Sequence, residues 1–127
     1  MDPLARLTRA LVEAIGVVGE LLHAAAIVDS AQLNLAVTDG DVAVVSRLST
    51  GAARPNSLYY ISGKSYVDAE GQLRMSGKDG PAAIVASEPL TENPGWTAVP
   101  VNHLVCVSRK HDVALVDLDS VSGSRAG

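Results

Sequence analysis

The sequence predicts an α+β fold: one N-terminal helix, then about seven short strands in mostly antiparallel sheet. Three observations carry that expectation. Leu4, Leu7, Leu11, Ile15, Val18 and Leu22 recur at spacings of three and four, which sets them on one face of a helix. Beyond Ser30 the spacing changes to alternation, with Leu33, Leu35 and Val37 on one side of a strand and Gln32, Asn34 and Ala36 on the other. Turn-forming residues then recur at short intervals and divide the rest of the chain into hairpins.

The helix starts at Asp2-Pro3. Aspartate suits the N-cap, and proline suits the first helical position, where no N–H is needed. The helix is expected to reach Ala25. Gly16 and Gly19 either weaken it, by about 1 kcal/mol each relative to alanine, or admit a neighbouring backbone at close range. Asp39-Gly40 is a hairpin signal because both residues tolerate positive φ, and 41–48 is the returning strand. Residues 49–56 form a loop, and Ser57–Ser62 is a third strand with Tyr59 and Tyr60 on opposite faces. A turn at Asp68–Gly71 joins short strands at Ser65–Val67 and Leu73–Met75. Pro81 opens the apolar run Ala82–Ser87, a strand covered on both faces. Residues 89–101 make an irregular turn, and His103–Ser108 with Val113–Leu118 form a last hairpin around Lys110-His111-Asp112. One domain is expected over 1–118, followed by a disordered tail at 119–127.

Composition excludes several function classes. The core must be aliphatic, because the chain has no Phe, three Tyr and one Trp. A net charge of −4 leaves no basic stripe for a nucleic acid, and Arg109-Lys110 is an isolated pair on a solvated turn. Cys106 is the one cysteine, so neither an internal disulfide nor a cysteine-based metal site can form. His23, His103 and His111 are too scattered to give a ligand pair, and no metal or cofactor is expected. Glu13, Glu20 and His23 interrupt the longest apolar stretch, which argues against a membrane span, and Asp2 stands where a signal peptide would be basic. The expectation is a cytoplasmic protein with no nucleic-acid or membrane partner.

Candidate reactive residues are few. Cys106 lies mid-strand in HLVCVS, where a cysteine is an inert small hydrophobe, and alternation puts His103 on the opposite face from it. Ser87 ends a buried strand but lacks the glycines of a nucleophile elbow, and Glu88 alone is no carboxylate pair. Trp96, with Pro94, Gly95 and Pro100, is read as an apolar plug at a sheet edge. The segment Ser76–Gly80 lacks phosphate-loop spacing.

Taken in order, LNLAVTDGDVAVVSR, SLYYISG and AAIVASEPLTENPGWTAVPVNHLVCV resemble the class II glutamine amidotransferases. Within them the resemblance is to the small single-domain branch, which holds the fungal glutathione-degradation subunit and the ergothioneine-synthesis amidohydrolase. It covers residues 4–118 and implies the N-terminal-nucleophile hydrolase fold, two antiparallel sheets between helical layers. It also implies a chemistry. A cysteine at the mature amino terminus attacks a γ-glutamyl amide while its own α-amine, which titrates near 8, takes the thiol proton. Backbone and asparagine donors stabilise the oxyanion.

This sequence departs from that pattern. Asp2, not a cysteine, follows Met1, and neither the oxyanion segment nor the arginine segment of the family appears. The resemblance therefore implies the C-terminal portion of such a domain, with no catalytic residue of its own. Asn34, Asp39, Gly40, Arg47, Tyr59, Tyr60, Trp96 and His103 match as structural motif residues, and Ser87 and Glu88 as substrate contacts near the pocket floor. Two function classes follow. One is an amidotransferase or γ-glutamyl amidohydrolase fragment, inactive alone, whose companion chain carries the N-terminal half. The other is a non-catalytic binding or scaffold module that pairs with a partner or with itself, because one helix cannot cover both faces of two sheets.

Overall fold

The N-terminal helix forms where the apolar spacing predicts it. In the computed structural model, which describes residues 2–75 and 82–122, α1 spans Pro3–Ala24. Asp2 caps it, its carboxylate accepting the Ala5 N–H at 3.0 Å. The far end closes through Ala26, whose φ of +57° turns the chain so that the Ile27 N–H reaches the Leu22 carbonyl.

Nine strands follow among the described residues. They are β1 (Ala36–Thr38), β2 (Ala43–Arg47), β3 (Tyr59–Gly63), β4 (Ser65–Val67), β5 (Leu73–Met75), β6 (Ala82–Ala86), β7 (Thr97–Ala98), β8 (His103–Val107) and β9 (Val113–Asp117). A short helix, α2 (Leu118–Ser122), comes last. The strands form a four-stranded sheet in the order β1-β2-β8-β9, a three-stranded sheet β6-β3-β7, and the separate hairpin β4-β5. Every pairing is antiparallel.

Alternation along β2 and β8 sorts two cores. Val44, Leu104 and Cys106 point toward α1 and pack with Leu11, Leu7 and Ile15. Val45, Val105 and Val107 point the other way, onto Leu58, Tyr60, Val85 and Val99 of the smaller sheet. The layers are thus helix, four-stranded sheet, three-stranded sheet. Ile61, on the far side of β3, is also fully buried, and β5 packs against that strand.

The structure corrects the sequence expectations at five places. The first strand is shorter than expected, because the Ser46 side chain enters the ladder. Its hydroxyl donates to the Leu33 carbonyl at 2.6 Å and accepts the Leu35 N–H at 3.0 Å. Leu35 is consequently 38% exposed, while Leu33 and Val37 reach the core. At the first turn only Gly40 has positive φ; Asp39 works instead through its carboxylate, which accepts the Asp41 and Val42 N–H groups. Strand β6 is half-buried throughout rather than covered on both faces, because it is the edge of its sheet. The 89–101 turn contains β7, which pairs with Tyr59 and Tyr60. Helix α2 occupies the first residues of the supposed tail, where the Asp117 carboxylate accepts the Asp119 N–H. Residues 76–81, with the Ser76–Gly80 segment and Pro81, and 123–127 lie outside the described residues.

Candidate functional site

One end of the sandwich gathers most of the residues that the sequence singles out. Arg47 closes β2 and is 7% exposed between the sheets. Its guanidinium donates to the carbonyls of Val99 at 2.6 Å, Asn56 at 2.9 Å and Pro55 at 3.4 Å. Among the described residues no carboxylate pairs with it, so these carbonyl dipoles are what meets the charge. Asn34 donates its Nδ2 to the same Asn56 carbonyl at 2.9 Å, and Gln32 accepts the Asn56 N–H at 3.1 Å. The Asn34 Oδ1 is buried with no partner among the described residues. The 55–57 loop, pinned in this way, carries Ser57, whose hydroxyl donates to the Ser87 carbonyl at 2.7 Å.

A chain of hydrogen bonds therefore links Arg47 and Asn34 to the end of β6. Ser87 and Glu88 sit there exposed, and neither side chain makes a hydrogen bond among the described residues. Tyr59 and Tyr60 lie on opposite faces of β3, with Tyr60 in the inter-sheet core and Tyr59 beside Ala86 and Ala98. Trp96 is half-buried and donates its indole N–H to the Thr91 hydroxyl at 2.9 Å. Asn93 organises that turn: its Oδ1 accepts the Gly95 N–H and its Nδ2 donates to the Met75 carbonyl. His103 pairs with Arg47 in register, and its Nδ1–H donates to the Val101 carbonyl at 3.0 Å.

Cys106 stands apart from this cluster. It faces α1, 3.7 Å from the Thr8 hydroxyl. Burial pushes its thiol pKa up, and the Thr8 contact only partly opposes that. His103 is on the other face of the strand, and among the described residues the thiol's hydrogen-bond partner is the Thr8 hydroxyl, not a base. Among the described residues no group of three or more His, Cys, Asp or Glu side chains could hold a metal ion. No helix there is long and apolar enough to cross a membrane. Asp39 and Gly40 form their turn far along the sheet and touch none of this. The sequence passed over Ser46, Ser57 and Asn93, whose roles arise from distant partners; their only local signal was a small polar residue beside a strand or a proline.

No family model matches the chain. A curated relative does. The probable glutamine amidotransferase DUG3 of Saccharomyces cerevisiae is 40% identical over 88 residues. The chain is related to a glutamine amidotransferase. The match takes in 65% of the chain and 25% of the yeast protein, so the chain spans about a quarter of the length of that glutamine amidotransferase.

Proposed function

We propose that the chain is the C-terminal portion of a class II, N-terminal-nucleophile glutamine amidotransferase or γ-glutamyl amidohydrolase domain. On this reading it is inactive by itself, and the nucleophile comes from polypeptide other than these residues. The 40% identity to the yeast glutamine amidotransferase is the observation that carries it. The geometry is in keeping: among the described residues no base hydrogen-bonds the Cys106 thiol, and the Arg47–Asn34 clamp braces a rim where Ser87 and Glu88 are exposed and could meet a substrate. Its setting is the cytoplasm, in keeping with a single free thiol. The test is ammonia release from glutamine and γ-glutamyl peptides by the pure chain and by Cys106→Ala. Both are expected at the buffer rate. Turnover in both would place a working nucleophile elsewhere in the chain, and turnover lost in the variant would make Cys106 the nucleophile.

A second reading is a non-catalytic module that pairs with a partner or itself. The observation favouring it is apolar surface left open on α1, where Val17 is 53% and Leu21 64% exposed.

A further inference from the structure

We propose that the outward flank of α1, formed by Ala10, Ala14, Val17 and Leu21, is a self-docking surface on which α1 of a second copy of this chain packs antiparallel. The proposal goes beyond the amidotransferase reading. It rests on the second reading, self-pairing, and gives it a surface and a geometry.

The core uses only part of the helix. Leu4, Leu7, Leu11, Val12 and Ile15 pack over the four-stranded sheet, and Thr8 touches Cys106. Ala10, Ala14, Val17 and Leu21 recur at alternating spacings of four and three, which stacks them in one seam along the helix. At about 100° per residue that seam lies more than a right angle around the helix from the core face, turned out from the sheet. All four residues are exposed, Val17 by 53% and Leu21 by 64%. The cavities beside Thr8, Val12 and Gly16 open on the other flank, so the seam is a separate surface. A charge-free apolar seam with heptad spacing on a water-facing helix suits a second helix.

Charge identifies that helix as a second copy. Arg6 and Glu20 border the seam at its two ends. They are two heptads apart, so they share one side of the helix at a separation of about 21 Å along it. Neither joins a salt bridge among the described residues, and at that separation they cannot join each other. A two-fold axis at Glu13, midway between them, brings Arg6 of one copy beside Glu20 of the other, and does so twice. Glu13 itself holds Arg9 at 3.2 Å, so the axis does not bring two bare carboxylates together. Ala10 and Ala14 flank the same midpoint, where their small side chains let the helices cross closely. Val17 and Leu21 then reach over the first turns of the second copy. A parallel pairing would instead set like charges at each end. The antiparallel one complements its own pattern.

The test is sedimentation equilibrium of the whole chain at low salt, for the parent, Arg6→Glu, Glu20→Arg, an equimolar mixture of these two variants, and Leu21→Ser. The charge reversals sit at exposed positions and keep the fold, because glutamate suits the start of a helix and arginine its end; melting curves check this. The parent is expected to dimerise in the micromolar range, as a small interface does. Each single reversal and Leu21→Ser should weaken the dimer by about tenfold or more. The mixture should recover the parent's affinity, because opposite charges then meet again across the two-fold axis. A parent that stays monomeric overturns the proposal and the self-pairing reading with it. A dimer that the single reversals leave unchanged, or that the mixture fails to restore, overturns the proposal alone and leaves self-pairing to another surface.

Discussion

Arg47 donates to the Val99 carbonyl at 2.6 Å across the sandwich, joining the last residue of β2 to the chain leaving β7. The two residues are far apart in sequence, and the bond fixes how the two sheets meet. Arg47→Ala leaves the carbonyls of Val99, Asn56 and Pro55 without their shared donor, and is expected to cost roughly 2–4 kcal/mol. Arg47→Lys is expected to recover less than half of that, because an ammonium cannot spread over three carbonyls as the fork does. Urea denaturation with an unchanged m-value checks both. A Lys variant as stable as the parent would mean that charge alone matters.

Ser46 is fully buried and holds the irregular start of the first hairpin. Its hydroxyl serves two backbone groups that the ladder leaves unpaired, the Leu33 carbonyl and the Leu35 N–H. Ser46→Ala should cost about 2 kcal/mol, more than an ordinary small core truncation, because two backbone groups lose their partner at once. Hydrogen exchange at the Leu35 amide should quicken in the variant. Protection at the parent level would show that the ladder closes without the hydroxyl.

Acid should unfold the chain partly through two turns. Asp39 accepts the Val42 and Asp41 N–H groups, which hold its carboxyl below the ordinary value of 3.8. Asp68 is held below 3.8 first by its hydrogen bond from Arg74 at 2.7 Å and then by the Gln72 N–H. A carboxyl with a lower pKa folded than unfolded stabilises fully above the unfolded value, and that stabilisation is lost as pH falls through the folded one. Melting temperature is therefore expected to decline below about pH 4. Asp39→Asn and Asp68→Asn should flatten that acid limb and leave the shape above it unchanged. An acid limb as steep as the parent's in both variants would assign acid unfolding to other groups.

The parts of the fold governed by short-range signals were legible in the sequence. The Asp2-Pro3 start, the β4–β5 hairpin around Asp68–Gly71 and the β8–β9 hairpin follow from caps, turns and alternation within a few residues. What was not legible depends on distant partners. Thr97–Ala98 is too short to show a period and becomes a strand only because β3 lies beside it. The AAIVA run looked doubly covered because an apolar edge strand and an apolar central strand read alike. At the candidate site, Arg47 and Asn34 were visible by type and position, but Ser57 gains its role only because β6 pairs with β3 and brings the Ser87 carbonyl beside it.

Cys106 should behave as a core residue. Its thiol is buried and its pKa is pushed up, so it stays protonated at neutral pH. Alkylation by iodoacetamide should be far slower in the native chain than in denaturant, and should quicken only on the alkaline side of the ordinary thiol range. Rapid native labelling at pH 7 would mean that the strand opens or that the thiol is activated.

The most direct measurement uses a glutamine analogue carrying an electrophilic ketone, followed by mass spectrometry of the modified polypeptide. The chain is incubated alone and with the remainder of the yeast glutamine amidotransferase. No adduct is expected on this chain, alone or combined, and an adduct is expected on a thiol of the other polypeptide when the two are combined. An adduct on Cys106, formed by the chain alone, would contradict it.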